Sequence, residues 1–164
     1  MKTRYEIDET DLRIIKRLMH DASLPYTEVA KELGVSGGTI HVRMKKLQES
    51  GVVLGSQLVV NAPSLGFDIC AFIGIYLEKG AMYNDAKRAL ENIAEIVELH
   101  YTTGGYSMFA KLICRDTQHL RQVLNDKIQV IPGITRTETF ISLEVSIQRQ
   151  LELEIQPETE SFDR

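Results

Sequence analysis

Apolar residues recur at the helical period in three stretches of the first fifty residues, and after Gly51 the spacing shortens toward alternation. Asp8 can cap a first helix with Asp11 in its opening turn, and Leu12, Ile15, Leu18 and Met19 form its apolar face before it ends near His20 to Ser23. Pro25 and Thr27 start a second, short helix whose Val29, Ala30 and Leu33 share one side, and Gly34 stops it as a left-handed cap. Ser36 can cap a third, in which Ile40, Met44 and Leu47 repeat at i, i+4, i+7 until Gly51.

Beyond Gly51, Leu58, Val59 and Val60 predict a short hinge strand, interrupted by Asn61-Ala62-Pro63 and again by Gly66. The remainder predicts a strand at Ile69 to Leu77, a helix at Asn84 to Ile93 and strands at Ile96 to Thr103 and Ser107 to Cys114, separated by Gly104-Gly105. A helix capped by Asp116 follows, carrying Leu120, Val123, Leu124 and Ile128, and then a last strand at Ile134 to Val145. The order βαββαβ is that of the ferredoxin-like split motif, an antiparallel sheet with both helices on one face. The expected class is therefore α+β. A winged-type helix-turn-helix unit at 1–53 precedes a hinge strand and linker at 54–66, a ferredoxin-like domain at 67–148 and an acidic tail at 149–164.

In the first long strand Ile69, Ala71, Ile73, Ile75 and Leu77 point one way, while Cys70, Phe72 and Tyr76 point the other. Helices cover only one face of such a sheet, and a face left to water alternates apolar with polar side chains. Two apolar faces therefore predict a dimer made through this domain.

Composition narrows the setting. A hydrophobic share of 43% beside 26% charged residues is that of a globular protein. The longest apolar run is about half the ~20 residues of a membrane span, and no signal segment follows the N-terminus, so a cytoplasmic, nucleoid-associated protein is expected. Cys70 and Cys114 read as small hydrophobes in strands, offering neither a disulfide framework nor a zinc spacing. The net charge of −4 is uneven: residues 1–50 hold 9 Lys/Arg against 8 Asp/Glu, and residues 51–164 hold 10 against 15. Between Ser36 and Ser50, Arg43, Lys45 and Lys46 face Glu49 alone.

Tyr26 to Lys45 fits a helix-turn-helix sterically: Ala30 is small where the helices cross, Gly34 supplies the turn, and Ile40 anchors the second helix. The next core position holds Arg43, with Met44 and Leu47 doing the burying, which fits a winged or otherwise rotated recognition helix. Opposite the apolar face stand Gly38, Thr39, His41, Val42, Lys45 and Lys46. Ser36, Thr39 and Val42 are short enough to meet base edges, and Gly37 and Gly38 permit close approach to double-stranded DNA. Arg43, Lys45 and Lys46 would neutralise phosphates, giving salt-dependent affinity rather than sequence choice. The competing reading is a solvated amphipathic face.

The helix-turn-helix, Gly51-Val52-Val53, the hinge and the βαββαβ domain with Tyr101-Thr102-Thr103-Gly104-Gly105-Tyr106-Ser107 together resemble the Lrp/AsnC family of bacterial and archaeal transcription regulators, over roughly Ile7 to Val145. The runs Gly38 to Arg43, Phe72 to Ile75, Lys127 to Gln129 and Thr137 to Thr139 are most similar to its asparagine-responsive AsnC branch. The resemblance implies promoter operators as DNA partner, dimers that build tetramers or octamers, and a small amino acid, asparagine favoured, bound between dimers. No other cofactor or metal is implied. It also implies effector contacts from Tyr101, Thr103, Gly104, Gly105, Tyr106 and Ser107, with Gln129, Thr137 and Thr139 contributing from neighbouring elements. Read alone, Gly104-Gly105 is as well explained by an ordinary hairpin turn. The branch carries a His where this chain has Gly105.

No P-loop, His-Glu-x-x-His, Cys-x-x-Cys or Gly-x-Ser-x-Gly is present, and no catalytic residue is expected. His20, His41, His100 and His119 are scattered, and Tyr76, Tyr83 and Tyr101 read as packing residues. The alternative is an enzyme on a similar two-domain arrangement, resembling the sirohaem decarboxylases, with His100 or His119 serving a tetrapyrrole.

Overall fold

The computed structural model describes residues 5–154. They form two compact units, one of residues 5–58 with 148–154 and the other of 59–147.

The first unit is a three-helix cluster: α1 (Glu9–His20), α2 (Tyr26–Leu33) and α3 (Gly37–Glu49). Asp8 and Asp11 make a reciprocal capping box at the start of α1, which satisfies backbone donors that a helix end leaves open. Gly34 ends α2 at φ 67°, a left-handed conformation that needs no Cβ. Ile14, Val29, Ala30, Ile40, Met44 and Leu47 are buried together, so the apolar stripes of α2 and α3 meet α1 in one core. After α3 the backbone is irregular from Val53 to Asn61, and the predicted wing and hinge strand do not form among the described residues. The side chains of Leu54, Leu58 and Val59 are more than 80% exposed, so no neighbouring strand lies along this segment. β-branched residues favour extended backbone, but a strand also requires a hydrogen-bonded partner.

The second unit follows the expected βαββαβ order: β1 (Ile69–Leu77), α4 (Tyr83–Leu90), β2 (Ile96–Tyr101), β3 (Met108–Cys114), α5 (Thr117–Gln122) and β4 (Ile134–Ile141). The sheet is antiparallel, in the order β2-β3-β1-β4. The predicted second helix is not uniform. Its α-helical part ends at Gln122 and continues as a π-helical turn, Val123–Ile128, that still buries Val123 and Ile128. β4 ends four residues before the predicted Val145, where pairing with β1 runs out.

On the helix-covered face, Ala71, Ile73, Ile75, Met108, Ala110 and Leu112 pack beneath Ala86, Leu90, Leu120, Val123 and Ile128. The other face is aromatic. Phe72 and Phe109 stack with centroids 5.9 Å apart, and Tyr106 and Phe140 lie beside Phe109. Gly74 interrupts β1 on this side, and the Tyr106 ring occupies the space its side chain would take: a Cβ there would stand 2.4 Å from the ring. The Tyr106 hydroxyl donates to Glu138 Oε2 at 2.7 Å, fixing the ring from its far end.

Gly74→Ala is expected to displace Tyr106 and destabilise the second unit by about 1–3 kcal/mol, the usual cost of overpacking. Urea unfolding followed by tyrosine fluorescence measures the loss, and the same substitution with Tyr106→Ala should recover part of it, because the two sites share one volume.

Candidate DNA and effector surfaces

Helix α3 begins where Ser36 Oγ accepts from the Thr39 N–H at 3.1 Å, an N-cap that also lies 2.9 Å from Thr39 Oγ1. Ile40, Met44 and Leu47 anchor its inner side. Gly38, His41, Val42, Lys45 and Lys46 are exposed on the outside, with Gly37 and Thr39 partly covered at the first turn. Eight of the nine residues expected to meet DNA therefore stand on or beside one outward surface.

Arg43 differs. Its guanidinium Nη1 lies 2.6 Å from Asp8 Oδ2 and 2.9 Å from Asp11 Oδ1. Asp11 is fully buried and also accepts from the Tyr5 hydroxyl at 2.8 Å and the Asp8 N–H at 3.2 Å. Arg43 thus joins α3 to the start of α1, and its charge is met inside the protein, which corrects the expectation that it stands ready for a phosphate. Its hydrogen bonds to Asp8 and Asp11 hold the guanidinium protonated still more firmly than usual. Partial burial raises the Asp8 pKa, but the Asp11 N–H and Arg43 outweigh it and leave the carboxyl below its ordinary range. Burial and the bond to Asp11 push the Tyr5 phenol up, so it remains a donor. Tyr5, Asp8, Gly38, Thr39, Val42, Arg43 and Lys46 enclose a hollow of about 540 Å³ beside the exposed side of α3.

The sequence held a signal for this tie: a charge at a helix position that should be buried requires an opposite charge inside the protein. Taken alone, Asp8-x-x-Asp11 reads only as a cap, because Arg43 lies far from it in sequence.

In the second unit, Gly104 turns the β2–β3 connection at φ 101°. Thr103, Gly104 and Gly105 are exposed at its tip, and a Cβ built on Gly105 meets nothing within 4 Å. The base of the loop is pinned: Thr102 Oγ1 donates to the Tyr106 carbonyl, the Ser107 N–H to the Ile75 carbonyl, and the Leu77 N–H to Ser107 Oγ. Register places Ile75 opposite both Met108 and Thr137, so this loop and the start of β4 lie at one end of the sheet. There Gln129 Nε2 donates to Thr137 Oγ1 at 3.1 Å, while Thr139 lies two residues further along β4.

The expected effector residues separate into groups. Thr103, Gly104 and Gly105 form the open tip, Gln129 and Thr137 a bonded pair, and Ser107 the anchor. The Tyr106 side chain belongs to the aromatic face, and Tyr101, on the opposite edge strand, packs against Tyr83 with centroids 4.2 Å apart. Sequence reasoning missed Glu138, which accepts from both Tyr106 and Tyr76 and is paired with Arg136. Its position in β4 carries no local signal of those partners.

His119, one candidate of the enzyme reading, is held on both ring nitrogens: Nδ1 accepts from the Arg115 N–H, and Nε2 is 3.1 Å from Glu95 Oε1. His100 is exposed beside Glu98. Among the described residues there is no cluster of three or more metal-binding side chains, and no helix is long and apolar enough to cross a membrane.

Arg43→Ala is expected to destabilise the helical unit by about 3 kcal/mol, because a buried carboxylate loses its counter-charge. DNA binding by the folded variant should keep its dependence on salt. Lys46→Ala should instead lower the slope of log affinity against log salt by about 1, with little effect on melting. Filter-binding titrations between low and moderate salt distinguish the two, and Thr39→Ala in the same assay should change the preferred sequence.

Comparison with known proteins bears on both surfaces. Residues 7–48 match the AsnC-type helix-turn-helix domain, and residues 70–151 match the Lrp/AsnC ligand binding domain. The chain is 43% identical over 147 residues to the regulatory protein AsnC of Haemophilus influenzae, covering 90% of this chain and 98% of that one. The structure of E. coli AsnC superposes with a TM-score of 0.85 at 43% identity, covering 90% of this chain and 99% of that one. A transcriptional regulator of Neisseria meningitidis in complex with L-methionine has the same fold at 17% identity, with a TM-score of 0.83 over 93% of this chain and 97% of that one.

Proposed function

The chain belongs to the Lrp/AsnC family of transcription regulators, with a DNA-binding helix-turn-helix unit and an amino-acid-binding unit, and from that premise we propose how its residues divide the work. Helix α3 enters the major groove of promoter operators. Ser36, Thr39 and Val42 meet base edges over the close approach that Gly37 and Gly38 permit, while Lys45, Lys46 and His41 face the backbone. The observation that carries this reading is the burial of Ile40, Met44 and Leu47, which leaves short and basic side chains on the opposite side of α3. Arg43 acts in the same task by positioning: its tie to Asp11 sets the angle at which that side is presented.

The effector is a small amino acid, with asparagine favoured. It binds where Thr103, Gly104 and Gly105 expose backbone donors and acceptors and where Gln129, Thr137 and Thr139 offer side-chain ones. The tip is open on its outer side, and a second copy of the chain completes the site. The aromatic face of the sheet provides the dimer contact, since Phe72, Phe109 and Phe140 lie on the side away from α4 and α5. Dimers then join into tetramers or octamers, and the effector bound between them alters the spacing of paired α3 helices.

Catalysis has no part in this role. The His119 ring accepts from the Arg115 N–H at Nδ1 and ties α5 to Glu95 through Nε2. We place the protein in the cytoplasm, at the nucleoid.

Calorimetric titration with each of the twenty amino acids, followed by DNA binding with the best ligand, tests the reading. Asparagine is expected to bind and to change DNA affinity; another amino acid would correct the ligand and keep the mechanism, and binding by none would remove the effector role from the loop. Gly105→His is expected to leave the melting temperature unchanged, because its Cβ enters open space and its φ is not left-handed. It should also strengthen asparagine binding several-fold; a loss of asparagine binding in a variant that melts normally would exclude this position from the effector site.

A further inference from the structure

A second charged surface of the helical unit takes no part in the groove-facing side of α3. Arg13, Lys16, Arg17 and His20 recur at i, i+3, i+4 and i+7, which places them on one stripe of α1. With Glu32 and Leu33 of α2 they line a groove of about 680 Å³. Glu9 pairs with Arg13 and Glu32 with Arg17, so each arginine already has one carboxylate beside it. The remaining wall of the groove is made by Glu152 and Leu153, which come from the far end of the sequence and belong to the same unit.

The segment that supplies this wall has a pattern of its own. From Ile141 onward, apolar residues stand at Leu143, Val145, Ile147, Leu151 and Leu153, and the intervening positions are polar or acidic, with Arg149 as the one break. Leu143 is 98% exposed and Leu151 70%, whereas Leu153 is partly covered where it meets the groove with Met19 and Leu33. Apolar and charged side chains therefore meet at this point: Leu153 lines the groove with Met19 and Leu33, and Glu152 lines it with the basic stripe. The sequence continues in the same sign with Glu154, Glu158, Glu160 and Asp163. The match to the family's ligand binding domain ends at residue 151, so the acidic stretch lies outside what the family pattern accounts for.

We propose that residues 151–154, where this acidic segment begins, are an intramolecular occupant of the α1–α2 groove, seated by Leu153 and Glu152, and that they shield the basic stripe of α1 from the DNA backbone. The stripe would otherwise add phosphate contacts that carry no sequence information. With the groove occupied by Glu152 and Leu153, binding to random DNA is weakened and α3 is left to decide the site. The proposal rests on DNA binding by the helical unit but not on the effector or on the residues assigned to base reading.

The test compares three full-length proteins and two truncated ones on a random-sequence duplex across a salt series. The chain ending at Gln150 is expected to bind random DNA several-fold more tightly than the intact chain, with a salt slope steeper by about 1 to 2, one or two phosphates gained. Glu152→Gln with Glu154→Gln in the intact chain should give the same direction of change without adding a cation, which guards against an unfolded truncation. Adding Arg13→Glu and Lys16→Glu to the truncation should abolish the gain, with the intact chain carrying the same two changes as its reference. A truncation that melts normally and binds random DNA with unchanged affinity and slope would overturn the proposal. So would a gain that survives reversal of the stripe, since the tail would then act elsewhere. Failure of α3 to discriminate sequence would count against the base-reading assignment alone, because that is measured on operator DNA.

Discussion

Asp11 is buried at the start of α1, so its charge must be met inside the protein, and the groups that meet it come from three different places: the Tyr5 hydroxyl, the Asp8 backbone and the Arg43 guanidinium on α3. A buried carboxylate without such partners is far more costly than the bonds themselves are worth, which makes the arrangement demanding rather than merely favourable. Apolar packing of Ile40, Met44 and Leu47 can tolerate some rotation of α3 about its axis; a hydrogen-bonded guanidinium tolerates much less. The outward direction of Thr39, Val42 and Lys46 is therefore held by an ion pair from their own helix to the start of α1. Asp8, whose carboxyl is held below its ordinary range, adds stability that is present above its unfolded pKa and is lost as pH falls through the lower, folded one.

A comparable economy governs the second unit. The Gly74 gap is filled by Tyr106, whose backbone belongs to the β2–β3 loop and whose hydroxyl reaches Glu138 on β4. One side chain thus links the loop to the aromatic face and to the strand carrying Thr137 and Thr139. In the proposed mechanism that link is how an amino acid at the loop tip is felt at the surface where copies of the chain meet.

Much of this was legible in the sequence because it depends on local periodicity. Gly34 ends α2 in the left-handed region, Ser36 caps α3, and the βαββαβ order follows from alternation and turn residues. The features that were not legible are those that depend on distant partners. Leu58 to Val60 has strand propensity but no neighbour along it in the described chain. Arg43 reads as a surface cation until Asp11, 32 residues earlier, is placed beside it. Tyr106 and Glu138, likewise 32 residues apart, show no local sign of meeting. The break from α-helix to π-helical turn at Val123 also left no mark, since Val123, Leu124 and Ile128 satisfy an apolar helix face in either geometry.

The two units matter to each other only if binding at one changes binding at the other, and thermodynamic linkage makes that relation reciprocal. The most direct measurement is the affinity for the effector, by calorimetry, on free protein and on protein saturated with operator DNA. The affinity should change by the same factor by which the effector changes operator affinity. An effector affinity that DNA leaves unaltered, with DNA affinity equally indifferent to the effector, would show two independent binding units on one chain and contradict coupling between them.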